Sequence, residues 1–183
     1  MVRKLKHHEA KLLRKVDFTT SPSDPTHRAA TICRRYTITN PTDYTKYNRI
    51  CGSLRQLAHA LSDLAPDDPI RVRHEKLLLE KLYDMGILSE RTKLSEVERK
   101  VGVSRVARRR LGVVMTRVGM VENVTAAVKF VEQGHVRVGT EVVTDPAFLV
   151  TRNMEDFVTW VDSSKVKRNI LKYREKLDDF DLL

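Results

Sequence analysis

The apolar period of this chain changes once, and the place where it changes limits the fold more than any other feature. From Ala107 to Val131 the apolar residues recur every three to four positions, the repeat of helices lying on a core. Ala107, Leu111, Val114, Met115 and Val118 make one stripe. Val124, Ala127, Val128 and Val131 make a second, with Asn123 placed to cap it. Gly134 interrupts the pattern, and His135-Val136-Arg137-Val138 then alternates with a period of two, as a strand does. Gly139-Thr140 is a two-residue turn of the Gly-X kind that closes a tight hairpin, and Glu141-Val142-Val143 is the returning strand. Asp145-Pro146 turns again, and 157–161 reads as the remaining strand, with Val142, Val143 and Trp160 assigned to core. Two helices and a small antiparallel sheet over 104–165 make an α+β unit.

The half before it reads as helical. Tyr47, Ile50, Cys51, Leu54, Leu57, Ala58, Leu61 and Leu64 follow a helical period with hardly a break. This predicts Leu54, Leu57 and Leu61 in the core, with Leu57→Ala destabilising by ~2–5 kcal/mol. Pro66-Asp67-Asp68-Pro69 ends that helix and opens the next, which buries Leu78, Leu82 and Met85 and stops at Gly86. A short helix over 94–101 leads through Gly102-Val103-Ser104 into an arginine-rich helix. Residues 1–18 read as a basic amphipathic helix with Leu5, Leu12, Leu13 and Val16 on one face, and 1–15 are expected to be mobile in the free protein and helical on the RNA–protein assembly. The stretch 19–40, with its Ser21-Pro22-Ser23-Asp24-Pro25, reads as an irregular connector. The expected organisation is an N-terminal extension and connector (1–40), a helical region (41–103), the α+β unit (104–165), and a C-terminal helix with an acidic tail (166–183).

Charge narrows the function. The chain carries a net +10, unevenly: residues 1–40 hold nine basic and three acidic side chains, and 99–140 hold nine and two. The blocks between and after them are near neutral or acidic, and Glu175, Asp178, Asp179 and Asp181 close the chain. Two basic blocks of this kind are the electrostatic footprint of a polyanion binder. The spacing predicts an RNA surface made by Arg105, Arg108, Arg109, Arg110, Arg117, Lys129, His135 and Arg137. Their side chains are expected in solvent, flanking a stripe that must face inward. Alanine at 109, 117 and 137 together is expected to leave stability almost unchanged, with Arg108 on the rim of the stripe. Arg3, Lys4, Lys6, Lys11, Arg14 and Lys15 form a secondary basic anchor.

Other chemistries find no footing. His7-His8-Glu9 lacks metal-ligand spacing, no serine sits in a G-x-S-x-G elbow, and no G-x-x-x-x-G-K-[ST] loop is present. No catalytic residue, metal, cofactor or small-molecule substrate is expected, and no apolar run approaches the length of a membrane span. The charged start Met1-Val2-Arg3-Lys4-Leu5-Lys6 is followed by no apolar stretch, so secretion is not expected. Cys33 and Cys51, with no C-x-x-C spacing, suit a reducing compartment. Residues 94–104 look like a helix-turn-helix for duplex DNA, but the two positions buried at such a crossing hold Glu98 and Arg108.

The string Arg108-Arg109-Arg110-Leu111, then Arg117-Val118-Gly119, Asn123, Ala127, Gly134-His135-Val136-Arg137-Val138 and Asp145-Pro146 resembles the S4 RNA-binding domain of the ribosomal protein S4 family. It departs at the hairpin, where Gly139-Thr140 stands in place of the usual Asn-Gly. Four further strings resemble, more narrowly, the branch of that family found in the U3 small nucleolar ribonucleoprotein. They are the first nine residues, Asp43-Tyr44-Thr45-Lys46-Tyr47-Asn48-Arg49, Asp67-Asp68-Pro69, and Leu149-Val150-Thr151-Arg152-Asn153-Met154-Glu155-Asp156. The family's tryptophan-containing segment after Asp17-Phe18 is missing. The resemblance implies a helical N-terminal half packed on an S4-type domain. It further implies a nuclear, nucleolar assembly factor of the small-subunit processome, with no catalysis, that helps U3 small nucleolar RNA pair with pre-rRNA. The protein partners it implies are the scaffold Mpp10 and the companion Imp4. The alternatives are a structural ribosomal protein of the S4 family and, from another class, the helix-turn-helix DNA binder.

Overall fold

The computed structural model describes residues 3–15, 26–90 and 93–176. Helices α1 (His7–Lys15), α2 (Arg28–Arg35), α3 (Pro41–Ser62), α4 (Pro69–Asp84), α5 (Leu94–Lys100) and α6 (Val103–Ala107) come first. They are followed by α7 (Leu111–Val118), α8 (Val124–Glu132), β1 (Val136–Val138), β2 (Glu141–Val142), α9 (Arg152–Glu155), β3 (Val158–Trp160) and α10 (Lys165–Tyr173). The sheet is antiparallel with strand order β2-β1-β3, and Gly139-Thr140 makes the two-residue turn between Val138 and Glu141. The α+β class and the helical N-terminal half agree with the sequence.

Two cores carry the fold. One is built from α2 to α6 around Tyr47, Cys51, Ala58, Leu61, Leu82, Leu88, Val97 and Val106. The other joins α7, α8 and the sheet through Leu111, Val114, Met115, Val131, Val136 and Val158. Gly112 lets α7 and α8 approach closely: a Cβ there would stand 3.2 Å from Val128 Cγ2. The seam between the cores falls within the arginine run. Ala107 belongs to the first core and Leu111 to the second, although the sequence reads them as one stripe. A single straight helix cannot face two cores, so the expected arginine helix is broken. Arg108 ends α6, and Arg110 turns extended (ψ 142°) ahead of α7. The break is held by backbone pairing with the segment after β2: Leu111 N–H donates to Phe148 O (2.9 Å) and Val150 N–H to Arg109 O (2.8 Å). Helix α6, expected to open the second unit, packs with the helical half instead.

Several finer expectations are corrected. Helix α2 occupies part of the stretch read as irregular, because Ile32 and Tyr36 bury a face that its flanking arginines conceal in the sequence. Along α3 the buried apolar residues are Tyr47, Cys51, Ala58 and Leu61, whereas Ile50 and Leu57, and Leu64 just past the end of the helix, are exposed. These three are seven apart and share one flank of a stripe wider than its neighbours cover. On α4, Leu79 and Leu82 are buried and Leu78 is only half-buried, with Asp68 capping the helix through Ile70 N–H. Val118 and Val142, read as apolar-face residues, are exposed. Asn123 precedes α8 without a side-chain capping bond. Helix α1 starts after Leu5 and buries nothing, so Leu5, Leu12 and Leu13 are all exposed. Val16, the Ser-Pro-rich part of the connector, and Asp178, Asp179 and Asp181 of the acidic tail lie outside the described residues. Cys33 and Cys51 are free thiols.

Candidate nucleic-acid interface

The seam dictates where the arginines go. The 108–110 break sends three consecutive side chains in three directions. Arg110 turns into the interior, 2% exposed, donating from Nη1 to Asp43 Oδ2 (3.1 Å) and to the Tyr47 hydroxyl (3.0 Å), both on α3. Burial raises the Tyr47 hydroxyl above its ordinary pKa, and the Arg110 charge opposes the shift. Arg109 is 4% exposed; Nε donates to Val150 O (2.8 Å), Nη1 donates to Glu155 Oε2 (3.1 Å), and Nη2 has no partner among the described residues. Its guanidinium lies against Gly86, whose φ of +71° and missing Cβ make the room: a Cβ there would sit 2.7 Å from Arg109 Cζ. Arg108 stays exposed, with Nε donating to the Tyr36 hydroxyl (3.3 Å). The expectation that Arg109 and Arg110 point to solvent is therefore overturned. Both are interior ties between the cores, and alanine at 109 cannot be neutral.

Around that seam a cleft of about 450 Å³ opens, lined by Gly86, Ile87, Ser89, Arg105, Arg108, Arg109, Arg117, Arg152 and Glu155. Five guanidinium groups share it with one carboxylate. Arg105 Nη1 donates to Ile87 O (3.1 Å). Arg152 donates to Tyr83 O and Leu88 O (both 2.7 Å) while its guanidinium lies 4.2 Å from the Tyr83 ring centroid. Glu155 bridges Arg109 and the half-exposed Arg117. Burial alone would raise the Glu155 carboxyl, but hydrogen bonds and charge from those two arginines outweigh it, and its pKa lies below the ordinary carboxylate value. Burial lowers the Arg109 value; Glu155 opposes that shift, and Arg117 and Arg152 add to it. Such a site holds an excess of oriented donors in a concave wall, the arrangement that suits phosphate oxygens.

The other expected residues lie elsewhere. Lys129 is exposed on α8. His135 precedes β1, with Nδ1 2.9 Å from Ser164 Oγ and its ring edge-on to Phe130. Arg137 on β1 donates to Thr159 Oγ1 (3.1 Å) and pairs with Asp162 (2.5 Å). The structure thus brings Arg105, Arg108, Arg109 and Arg117 to one cleft and leaves Lys129, His135 and Arg137 outside it. In the N-terminal anchor, Lys4, Lys6, Lys11, Arg14 and Lys15 are exposed, and Arg3 pairs with Glu9 (2.7 Å). Glu9 also accepts from Lys6 N–H (2.9 Å), half of a capping box that starts α1.

Residues 4–107 match the model of the ribosomal protein S4/S9 N-terminal domain, and residues 109–156 match that of the S4 domain. The chain is 59% identical over 181 residues to the U3 small nucleolar ribonucleoprotein protein IMP3 of Saccharomyces cerevisiae, covering 99% of both chains. The chain belongs to the IMP3 family. The human IMP3 protein is 52% identical over 183 residues, 100% of this chain and 99% of its own. The small ribosomal subunit protein uS4 of Picrophilus torridus is more distant, at 28% over 131 residues and 71% of each chain. The two family models meet where the two cores do, at the arginine seam.

Sequence reasoning missed Arg152, Glu155 and Asp43 as members of this arrangement. Arg152 and Glu155 stand three apart on α9, so a cation and an anion share one face. That spacing was the available signal. Nothing in the sequence pairs Asp43 with Arg110, sixty-seven residues later.

Proposed function

We propose that this IMP3-family chain is a non-catalytic RNA-binding component of the U3 small nucleolar ribonucleoprotein. In this reading it acts in the nucleolus, in early processing of small-subunit rRNA, by promoting pairing of U3 RNA with pre-rRNA. The observation that carries the reading is the cleft at the seam, where five guanidinium groups meet a single carboxylate. Two RNA strands repel through their phosphates, and a protein that neutralises phosphates on either strand lowers the barrier to their pairing. Arg108 and Arg117 supply the exposed donors at the cleft, the half-buried Arg105 stands beside them, and Lys129, His135 and Arg137 extend the basic surface. Arg109 and Arg110 support them from within. The half-exposed and exposed apolar flank of α3 and α4 is assigned to protein partners, Mpp10 and Imp4.

The test is crosslinking in cells with sequencing of the bound RNA, alongside salt-dependent binding of a U3 transcript to Arg108→Gln/Arg117→Gln. Crosslinks should fall in U3 and pre-rRNA. The variant's slope of log K against log salt should become shallower by roughly 0.7–0.9 for each phosphate that is no longer neutralised. Crosslinks confined to messenger RNA would sink the assembly-factor reading. The uS4 relatives favour one other reading, a structural ribosomal protein. Stable presence in mature small subunits would establish it.

A further inference from the structure

Summed over a long block, the C-terminal region looks acidic, but residues 165–176 hold six cations and one acid. Most of those cations lie on α10, whose start is tied to the sheet. Ser164 Oγ accepts from Val166 N–H (3.2 Å) and contacts His135. Asp162 binds Lys167 as well as Arg137, so one carboxylate joins the helix to β1. Val166, Ile170 and Leu171 are half-buried, which fixes the orientation of the helix. The opposite side shows Lys165, Arg168, Asn169 and Lys172, all exposed, at the i, i+3, i+4, i+7 spacing of a single stripe. Seven residues of helix put Lys165 and Lys172 about 10 Å apart along the axis. None of the three cations pairs with another described residue. Tyr173, at the end of the helix, is 90% exposed.

Acids four residues away would offset the cations of a helix, and this stripe has none, while Arg168 and Lys172 stand four apart as like charges. Its cations repel one another until something anionic lies along them. The stripe also continues, through Ser164 and Asp162, toward His135 and Arg137. An exposed tyrosine beside a row of cations adds a stacking surface, which a polyanionic peptide would not use. A lipid surface fits less well, because the apolar side of α10 faces the protein.

We propose that α10 is an RNA-binding element in its own right. Lys165, Arg168 and Lys172 track successive phosphates of one RNA strand, and Tyr173 stacks on a base of that strand. The proposal rests on the RNA-binding reading above but uses no residue of the cleft.

The experiment uses the full chain and a fluorescein-labelled single-stranded RNA of mixed sequence, followed by anisotropy across a salt series. Three variants are compared: Lys165→Gln/Arg168→Gln/Lys172→Gln, Tyr173→Ala, and the cleft variant Arg108→Gln/Arg117→Gln. The triple variant should keep the wild-type circular dichroism spectrum and melting temperature, since its residues are exposed and pair with no other described residue. Its salt slope should be shallower by roughly 2. Tyr173→Ala should bind about tenfold or more weakly with an unchanged slope, because stacking releases no counterions. If the triple variant and Tyr173→Ala bind as wild type while the cleft variant weakens, the α10 proposal fails and the RNA reading stands. If the wild-type chain does not bind RNA, both fall. Unchanged RNA binding with diminished retention on poly-glutamate would assign the helix to an acidic protein and overturn the proposal.

Discussion

Arg110→Met removes one charge from the seam while keeping most of the side-chain stem. In the wild-type chain Arg110 is 2% exposed and Asp43 8%, so both groups are largely withdrawn from water. At the observed 3.1 Å separation, and with an effective dielectric of ~20, the gross attraction is about 5 kcal/mol. Replacement by methionine leaves the Asp43 carboxylate buried without its cation and takes a donor from the Tyr47 hydroxyl. Breaking a buried pair in this way costs about 3–5 kcal/mol. Asp43→Asn should cost less, since an amide oxygen still accepts from the guanidinium. The double variant should be less destabilised than the sum of the two, by at least about 1 kcal/mol of coupling. Urea denaturation followed by circular dichroism, with all four proteins at one pH, measures each term. A loss below about 1 kcal/mol for Arg110→Met would be the behaviour of a surface arginine. It would refute the assignment of Arg110 to the interior.

Gly86→Ala should destabilise by about 2–4 kcal/mol, combining left-handed backbone strain with a clash against a pinned Arg109; a melting temperature equal to wild type refutes this. Leu57→Ala should cost less than about 1 kcal/mol while Leu61→Ala costs ~2–5, and equal denaturation midpoints would contradict the placement of the two residues. Glu155 has a depressed carboxyl value in the folded state, so its contribution is full above the unfolded-state value near ~4.3 and is lost as pH falls through the lower folded value. Glu155→Gln should therefore be less stable at neutral pH and lose less stability on acidification below about pH 4; parallel acid limbs would count against it. Thr37, a β-branched residue at φ 50° just after α2, should gain about 1 kcal/mol on replacement by glycine, and a fall in melting temperature would show that the strain is compensated.

The parts of the fold that were legible in the sequence are those where one face meets one core. The α8 stripe, the Gly134 stop, the hairpin at Gly139-Thr140 and the Asp68-Pro69 helix start all follow from local chemistry. Periodicity failed where a stripe served two cores or outran its cover. Ala107 and Leu111 lie in phase yet belong to different cores, and Leu57 lies in phase with residues whose neighbours do not reach it. The arginine site was half legible for the same reason. Charge pattern marks a basic segment, but only the break at the seam decides that Arg109 and Arg110 turn inward while Arg108 and Arg117 stay out. The partners that fix them, Asp43 and Glu155, come from sequence 67 and 46 residues away.

Seen along the direction of synthesis, the seam sets an order of assembly. Domains fold broadly as they emerge from their N-terminal side, and every buried residue of the first core lies at or before Ala107. That core can close before Arg110 is available. A nascent chain ending there carries Asp43 without its cation, an incomplete intermediate that the next few residues relieve. Arg109 waits longer, since Val150 and Glu155 are made some forty residues later. The helical half is thus finished in two delayed steps by residues of its neighbour, and a pause in translation between 107 and 155 would prolong its least stable state.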